Sequence, residues 1–331
     1  MRVMIYTEGF GDAERRRLEE FGFEMTFDGS DEFHFIEGWL PFSSIEESSK
    51  LDFVRSVREA MMPIVRTGSV NSEADQILLA DRARAEFGLS GQNVKVGVIS
   101  DSVAGLAQAQ ASGDLPAVVE VLKAGVGAGE GTAMLEIVHD LAPGADLAFF
   151  GPQTSGEMIT AIRELAMAGA NIIVDDLGFL NEPFFEDGPI AQVVNEVTAQ
   201  GVIYVSAAGN SAQDHYESSF SGVGPRGGPT SNVHSFGSTI FQEIVVPGNS
   251  VGIVLLQWTN RVGGAIDDYD IYITDTTGNI LFGSIDEQEG NGFPIEAVAV
   301  PNDSASPTTF FVVIDLFRGA GQRIELYYFG M

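Results

Sequence analysis

Two segments constrain the fold of this chain more than any others: Asn93–Ser102, and Gly129–Met134 a little further along. The first reads as a buried strand that carries the acid Asp101 at its C-terminal end. The second opens a helix with another acid, Glu130, held between two glycines. In an open parallel sheet, functional residues gather where strands end and helices begin. The two segments therefore predict a site built around these acids.

The region from 71 to 230 alternates short apolar runs with segments of helical spacing, which is typical of a doubly wound parallel sheet in an α/β fold. The predicted strands are Val94–Ser100, Asp146–Phe150, Asn171–Asp175 and Val202–Ala207. The predicted helices are Gly131–Leu141, Ser155–Ala168 and Ile190–Gln200. We expect this region to be the central domain.

A small α+β domain is predicted before it, at 1–70, with the order βαββαβ. Its predicted strands are Arg2–Glu8, Phe23–Phe27, Glu32–Glu37 and Met61–Arg66, and its predicted helices are Asp12–Phe21 and Ser43–Val57. The third predicted domain, 231–331, has about seven strands and no helix, which indicates an antiparallel β-sandwich. These strands are Ile244–Val246, Val251–Trp258, Tyr269–Thr274, Ile280–Gly283, Ile295–Val300, Thr308–Phe317 and Arg323–Phe329.

Composition narrows the function further. The chain has 47 acidic and 17 basic residues and a net charge of −30, which repels nucleic acid and anionic membranes and suits cations such as Ca²⁺. It has no cysteine, so disulfides and cysteine-ligated zinc are excluded. No window of 18 apolar residues predicts a membrane span. Residues Met1–Glu8 read as a strand rather than as a signal peptide.

The candidate residues each allow more than one role when they are taken by themselves. Asp101 could cap a helix, bind a metal or orient a catalytic base. Glu130 could simply favour the start of its helix through the helix dipole. Asp175 and Asp176 point to opposite faces of an extended strand, so at most one faces a cleft, and either could cap a helix or bind Ca²⁺. Asn210 ends a Gly-Asn turn after an apolar strand, which is a common sequence and by itself indicates no function.

Three motifs together resemble those of the subtilisin-like serine peptidases, the subtilases. They are Val-Gly-Val-Ile-Ser-Asp-Ser ending at Ser102, the run from Glu130-Gly-Thr to Ala-Pro-Gly-Ala ending at Ala145, and Ala-Ala-Gly-Asn ending at Asn210. The resemblance implies that Asp101 orients the base and that Asn210 donates to the oxyanion. Glu130 stands at the position of the catalytic His.

A glutamate can act as a general base if burial and a neighbouring carboxylate raise its pKa. The related sedolisins have Glu at this point, but they keep an Asp four residues later, where this chain has Met134. Asp101 is therefore the expected orienting acid. By the same resemblance, Asp175, Asp176, Leu177 and Gly178 line the substrate side of the cleft.

The serine of the family is not found: residues 211–331 contain no Gly-Thr-Ser-x-Ala-x-Pro segment. The chain resembles a subtilase cut before that segment, with 1–70 similar to a propeptide and 231–331 similar to a prepeptidase-type insert. The resemblance implies a serine endopeptidase that acts on proteins or peptides, inactive as this chain alone. The alternative is a catalytically inactive, peptidase-like protein that binds peptide or Ca²⁺.

Further expectations follow from the resemblance and from the sandwich sequence. No cofactor is required, and the location is secreted or in the cell envelope. Within Ile266–Asp275, the residues Asp267, Asp268, Asp270 and Asp275 could form a Ca²⁺ site or a solvated acidic turn. The alternation predicts one apolar face, with Tyr269, Ile271 and Ile273, and one mixed face, with Asp270, Tyr272 and Thr274.

Overall fold

The computed structural model describes residues 1–60, 64–65, 73–224, 232–290 and 292–331. The described chain forms two compact units, one comprising Met1–Glu182 and Asp187–Asn210 and the other comprising Pro183–Glu186 and Ser211–Met331. No helix within these ranges is both long and apolar enough to cross a membrane.

The first unit is a mixed α/β structure. Its strands are β1 (Arg2–Thr7), β2 (Glu24–Gly29), β3 (Phe35–Trp39), β4 (Val54–Glu59), β5 (Ile64–Val65), β6 (Lys95–Ile99), β7 (Glu120–Lys123), β8 (Asp146–Phe150), β9 (Ile172–Asp175), β10 (Leu177–Gly178) and β11 (Ile203–Ser206). Its helices are α1 (Asp12–Glu19), α2 (Ser30–Phe33), α3 (Ile45–Ser48), α4 (Ala74–Ile77), α5 (Ala80–Phe87), α6 (Leu106–Ser112), α7 (Glu130–Leu141), α8 (Ser155–Met167) and α9 (Pro189–Ala199), with a 3₁₀ turn at Phe42–Ser44.

The N-terminal part is an antiparallel sheet of order β2-β3-β1-β4. The helix predicted at 43–57 is wrong. The helical turns end at Ser48, and Val54–Glu59 pairs with β1 instead, because so short an apolar pattern does not distinguish a helix from a strand. The strand predicted at 32–37 starts only at Phe35, since Ser30–Phe33 forms a helical turn. The strand predicted at 61–66 lies outside the described residues except for β5.

This N-terminal sheet is joined to helix α8 by one buried carboxylate. Glu37 of β3 is fully buried, and it accepts hydrogen bonds from the Thr154 hydroxyl and, at 3.3 Å, from the Gly156 N–H. Thr154 is itself the N-cap of α8 and accepts from the Glu157 N–H. Glu37 therefore satisfies one amide at the start of α8, and Thr154 satisfies a second, neither of which has a partner within the helix.

The centre of the first unit is a parallel sheet of order β11-β9-β6-β8-β7. Strand β6 lies in the middle and is buried because Val96, Val98 and Ile99 pack on both faces, as expected of a strand covered on both sides. The register places Ile99 beside Asp175, and Asp175 beside Ser206. The carboxyl ends of β6, β9 and β11 therefore meet at one edge of the sheet.

The second unit consists of antiparallel strands in two sheets. Its strands are β12 (His215–Ser219), β13 (Gly222–Val223), β14 (Val233–His234), β15 (Gln242–Val246), β16 (Ser250–Trp258), β17 (Asp268–Thr274), β18 (Ile280–Ser284), β19 (Ile295–Asn302), β20 (Thr308–Arg318) and β21 (Arg323–Phe329). One sheet has the order β12-β21-β16-β19, and the other has the order β13-β14-β20-β17-β18 with β15 also paired to β20.

The two sheets share a core in which Trp258 and Tyr269 are fully buried. Ile271 and Ile273 also lie in this core, so the apolar face predicted for β17 is where the alternation places it. The boundaries predicted for three domains, at 70 and 230, stay a prediction.

Candidate functional site

Asp101 anchors the site at the end of β6. Its side chain is 4% exposed, and its carboxylate accepts hydrogen bonds from the backbone N–H groups of Ala128 at 2.6 Å, Gly129 at 3.2 Å and Gly131 at 3.3 Å. The Ser102 N–H also donates to it. A carboxylate that accepts from amides at a helix N-terminus neutralises the positive end of the helix dipole. Asp101 therefore fixes the start of α7 against the end of β6.

Glycines allow the loop before α7 to come close to the Asp101 carboxylate. A Cβ on Gly127 would lie 2.2 Å from Asp101 Oδ2, and a Cβ on Gly131 would lie 2.2 Å from the Phe149 ring. Gly129 has a φ of +95°, a left-handed conformation that residues with a Cβ rarely adopt. The alternating glycines from 125 to 131 thus let the loop wrap the carboxylate and deliver Glu130 to the first turn of α7.

Glu130 is half-buried, and its Oε2 is buried with no hydrogen-bond partner in the described structure. Burial raises the pKa of the Glu130 carboxyl, and repulsion from Asp101 raises it further. A buried carboxylate oxygen without a partner is uncommon, because leaving it unsatisfied costs free energy. This oxygen is therefore available to accept a proton or a hydrogen bond.

Asp176 is the third carboxylate of the group and is 6% exposed. Its Oδ2 accepts a hydrogen bond of 3.1 Å from the Ser100 hydroxyl, whereas its Oδ1 is buried without a partner in the described structure. Burial and, to a smaller extent, the charges of Glu130, Asp175 and Asp101 together raise the pKa of Asp176 to about 7. Asp101, Glu130 and Asp176 therefore form one electrostatically coupled set, which we name the carboxylate triplet.

The side chain of Asp175 points away from the carboxylate triplet. Its Oδ1 accepts a hydrogen bond of 3.0 Å from the Ser206 hydroxyl on the neighbouring strand β11, and burial raises the pKa of its carboxyl. The two adjacent aspartates thus take partners on opposite sides of β9, as the alternation of a strand requires. Asp176 is the one that belongs to the carboxylate triplet.

Leu177 and Gly178 form β10, which pairs with a distant part of the same chain. Leu177 lies opposite Val65, and Gly178 lies opposite Ile64, in antiparallel register. The backbone edge predicted to bind substrate therefore already holds an extended segment. Adding a strand to an exposed backbone edge is a recurrent way of binding peptides.

Asn210 lies four residues beyond the end of β11 in the chain, and its side chain is exposed. The structure thus brings Asp101, Glu130 and Asp176 together, whereas the role of Asn210 stays a prediction. The sequence analysis missed Ser100 as a site residue, although its position directly before Asp101 was a signal that it lies at the same strand end.

No group of three or more Asp, Glu or His side chains within the described ranges is arranged to hold a metal ion. In the second unit, Asp267 accepts hydrogen bonds from Asn260 and Gln322 side chains and the Ala320 N–H, and Asp275 accepts from Thr277 and Asn279. Ca²⁺ binding therefore stays a prediction that rests on the negative net charge of the chain.

No protein-family model and no curated protein matches the chain. Among solved structures, the CspB protease of Clostridium perfringens is 10% identical over 78% of this chain and 66% of its own, with a TM-score of 0.47. A mutant of the epidermin leader peptide processing serine protease (EpiP) of Staphylococcus aureus is 12% identical over 63% of this chain and 61% of its own, with a TM-score of 0.41. The chain therefore spans less than two thirds of either protease.

Proposed function

We propose that the chain is a subtilisin-like serine peptidase in which Glu130 takes the place of the catalytic histidine. The observation that carries this proposal is the unpartnered, buried Oε2 of Glu130, held beside Asp101 at the carboxyl edge of a parallel sheet. A general base needs a free lone pair and a pKa raised toward the working pH, and Glu130 has both. The motifs quoted above support the same assignment.

The substrate in this proposal is an extended protein or peptide segment that pairs with Leu177–Gly178. The antiparallel pairing of this edge with Ile64–Val65 supports it, because the edge accepts a strand of this orientation. Asp101 holds the start of α7 so that Glu130 keeps its place, and Asn210 donates to the oxyanion. The doubly wound arrangement, the propeptide role of 1–70 and a secreted or cell-envelope location belong to the same proposal.

The proposal assigns a base, a positioning acid and an oxyanion donor, but no nucleophile, because residues 211–331 lack the Gly-Thr-Ser-x-Ala-x-Pro segment. A second candidate function is therefore peptide binding without catalysis. One observation favours it: Asp101 accepts four hydrogen bonds from backbone amides, and its charge repels Glu130. An orienting acid would instead accept from the base that it orients.

The test is cleavage of fluorescein-labelled casein between pH 3 and pH 8 by a protein in which this chain is extended through a Gly-Thr-Ser-x-Ala-x-Pro segment, with new termini identified by mass spectrometry. Glu130→Gln removes the base without changing its size. Glu136→Gln is the matched control, since Glu136 lies on the same helix and burial also raises the pKa of its carboxyl. Because the base acts only when ionised, the rate is expected to rise with pH through the raised pKa of Glu130.

Cleavage that Glu130→Gln abolishes and Glu136→Gln preserves would support the peptidase. Cleavage that survives Glu130→Gln would remove Glu130 from the mechanism. Binding of the labelled casein without any new termini would favour the second candidate, and neither binding nor cleavage would contradict both.

A further inference from the structure

The second unit contains a set of buried polar side chains on the outer face of a sheet. Along β17, Tyr269, Ile271 and Ile273 face the core, so the residues between them face the opposite side. On that side, Asp270 is 6% exposed and Thr274 is 3% exposed. Polar side chains on the outer face of a sandwich are normally solvated, so their burial calls for a partner.

Thr274 lines a cavity of about 360 Å³ on this face of the sheet. Phe241, Ile280 and Val313 supply apolar walls, and Tyr272, Thr274 and Asp315 supply polar groups. This volume lies near the lower end of the range of small-molecule sites, roughly 300 to 1,000 Å³, and mostly apolar walls with a few convergent polar groups are typical of such sites.

Two carboxylates lie side by side on this face of the sheet, and one of them, Asp315, lines the cavity. Asp270 of β17 lies directly opposite Asp315 of β20, and like charges opposite one another on neighbouring strands destabilise a sheet. Burial and, to a smaller extent, repulsion from Asp268 and Asp315 together raise the pKa of Asp270 to about 6, against a hydrogen bond from Tyr272. Within the described part of the chain, neither Asp270 nor Asp315 forms an ion pair. This face of the sheet therefore carries uncompensated negative charge beside the cavity.

The remaining polar contacts leave acceptors free. The Tyr272 hydroxyl donates to one oxygen of Asp270 at 2.8 Å, and the Asn232 N–H donates to one oxygen of Asp315 at 2.7 Å. The hydroxyl of Thr274 is buried and has no hydrogen-bond partner in the described structure. Thr274 thus offers a ligand in this cavity a buried hydroxyl that no described residue hydrogen-bonds, whereas buried hydroxyls are nearly always hydrogen-bonded.

We propose that this cavity binds a primary alkylammonium group, with its methylene chain along Phe241, Ile280 and Val313 and its nitrogen at Asp315 and Thr274. An ammonium has three N–H donors and no acceptor, which matches a cavity lined by the Asp315 carboxylate and the Thr274 hydroxyl. Its compact charge also relieves the repulsion between Asp270 and Asp315. A divalent metal fits less well, because no group of three metal-ligating side chains is found among the described residues.

Such a group could belong to a free amine or to a lysine side chain of a protein, and the probes distinguish the two. The test is a saturation-transfer NMR titration with n-pentylammonium chloride and with Nα-acetyl-lysine N-methylamide. Two uncharged analogues, 1-pentanol and Nα-acetyl-norleucine N-methylamide, keep the apolar chain and lack the charge. Both charged probes are expected to bind at least about tenfold more tightly than their analogues.

Two variants with matched controls locate the binding. Asp315→Asn removes the charge but keeps an oxygen that can accept from the Asn232 N–H, and Asp303→Asn removes a charge from an exposed turn outside the cavity. Ile280→Trp places a large ring at the cavity wall from a position that is 62% exposed, and Ile285→Trp does the same at another exposed position.

We expect Asp315→Asn to weaken binding at least about tenfold and Ile280→Trp to abolish it, while both controls bind like the parent. Folding of each variant is checked by its near-ultraviolet circular dichroism. Binding by n-pentylammonium alone would assign the site to free amines. Equal binding of charged and uncharged probes, equal binding by Asp315→Asn, or no binding by either charged probe would each overturn the proposal.

Discussion

Replacing Asp176 with Asn should make the first unit more stable at pH 8 and leave its stability at pH 4 almost unchanged. Asn keeps an oxygen that accepts from the Ser100 hydroxyl, so the packing and this hydrogen bond are retained. What changes is the charge. In the unfolded chain Asp176 has the ordinary pKa of 3.8, whereas in the folded protein its pKa is about 7.

The direction of the effect follows from proton binding. Between pH 4 and pH 7 the folded protein keeps a proton on Asp176 that the unfolded chain has already released. The free energy of unfolding therefore falls as pH rises through this window and levels off above the folded-state pKa. At 1.36 kcal/mol for each pH unit, the full effect would be about 4 kcal/mol. Since water reaches the half-buried Glu130 beside it, solvent screens part of both the burial cost and the repulsion at Asp176, and we expect about 2 kcal/mol.

The assay is urea unfolding at pH 4 and pH 8, followed by circular dichroism at 222 nm. This signal reports on the first unit, because every helix within the described ranges belongs to it. Glu20→Gln is the control, since it removes a charge from an exposed position. If Asp176→Asn raises the free energy of unfolding equally at both pH values, or more at pH 4 than at pH 8, the reasoning is refuted.

Two further substitutions test the packing of the first unit by the same assay. Gly127→Ala should lower the free energy of unfolding by about 2 kcal/mol, because the new methyl group would clash with the Asp101 carboxylate. Gly11→Ala is the control, since its methyl group would make only an ordinary contact at 3.5 Å. An equal loss of stability in both variants would contradict this reasoning. Glu37→Ala should cost about 2 kcal/mol by leaving the Thr154 hydroxyl and an amide of α8 without an acceptor, and Glu37→Gln should cost less. A loss from Glu37→Gln as large as from Glu37→Ala would show that shape, not hydrogen bonding, matters there.

The sequence was most informative where strands are buried and bounded by turn residues. Strands β8 and β21 were predicted with the bounds that the structure gives, because their apolar runs leave little choice of side or length. Strand β12 was missed. His215–Ser219 is polar and short, and what makes it a strand is its pairing with β21, more than a hundred residues later. Pairing over that distance leaves no local pattern.

The candidate site was likewise predicted only in part from the sequence. Asp101 and Glu130 were found because each ends or opens an element that the local sequence predicts. The hydrogen bond between Ser100 and Asp176 was not, because it depends on the register between β6 and β9, which lie far apart in the chain. The raised pKa of Asp176 likewise comes from burial and from neighbours that the fold assembles. Local sequence indicates candidate residues, and the sheet register decides which of them meet.

The pairing of Ile64–Val65 with Leu177–Gly178 changes how any peptide would be measured on this protein. A segment of the same chain pairs with its edge intramolecularly, at an effective concentration that a free peptide has to exceed. A free peptide must therefore compete with the intramolecular segment Ile64–Val65. Its apparent affinity is the intrinsic affinity multiplied by the fraction of molecules in which the Leu177–Gly178 edge is unoccupied. Weak binding to the intact chain would thus report the strength of the tethered competitor as much as that of the edge itself.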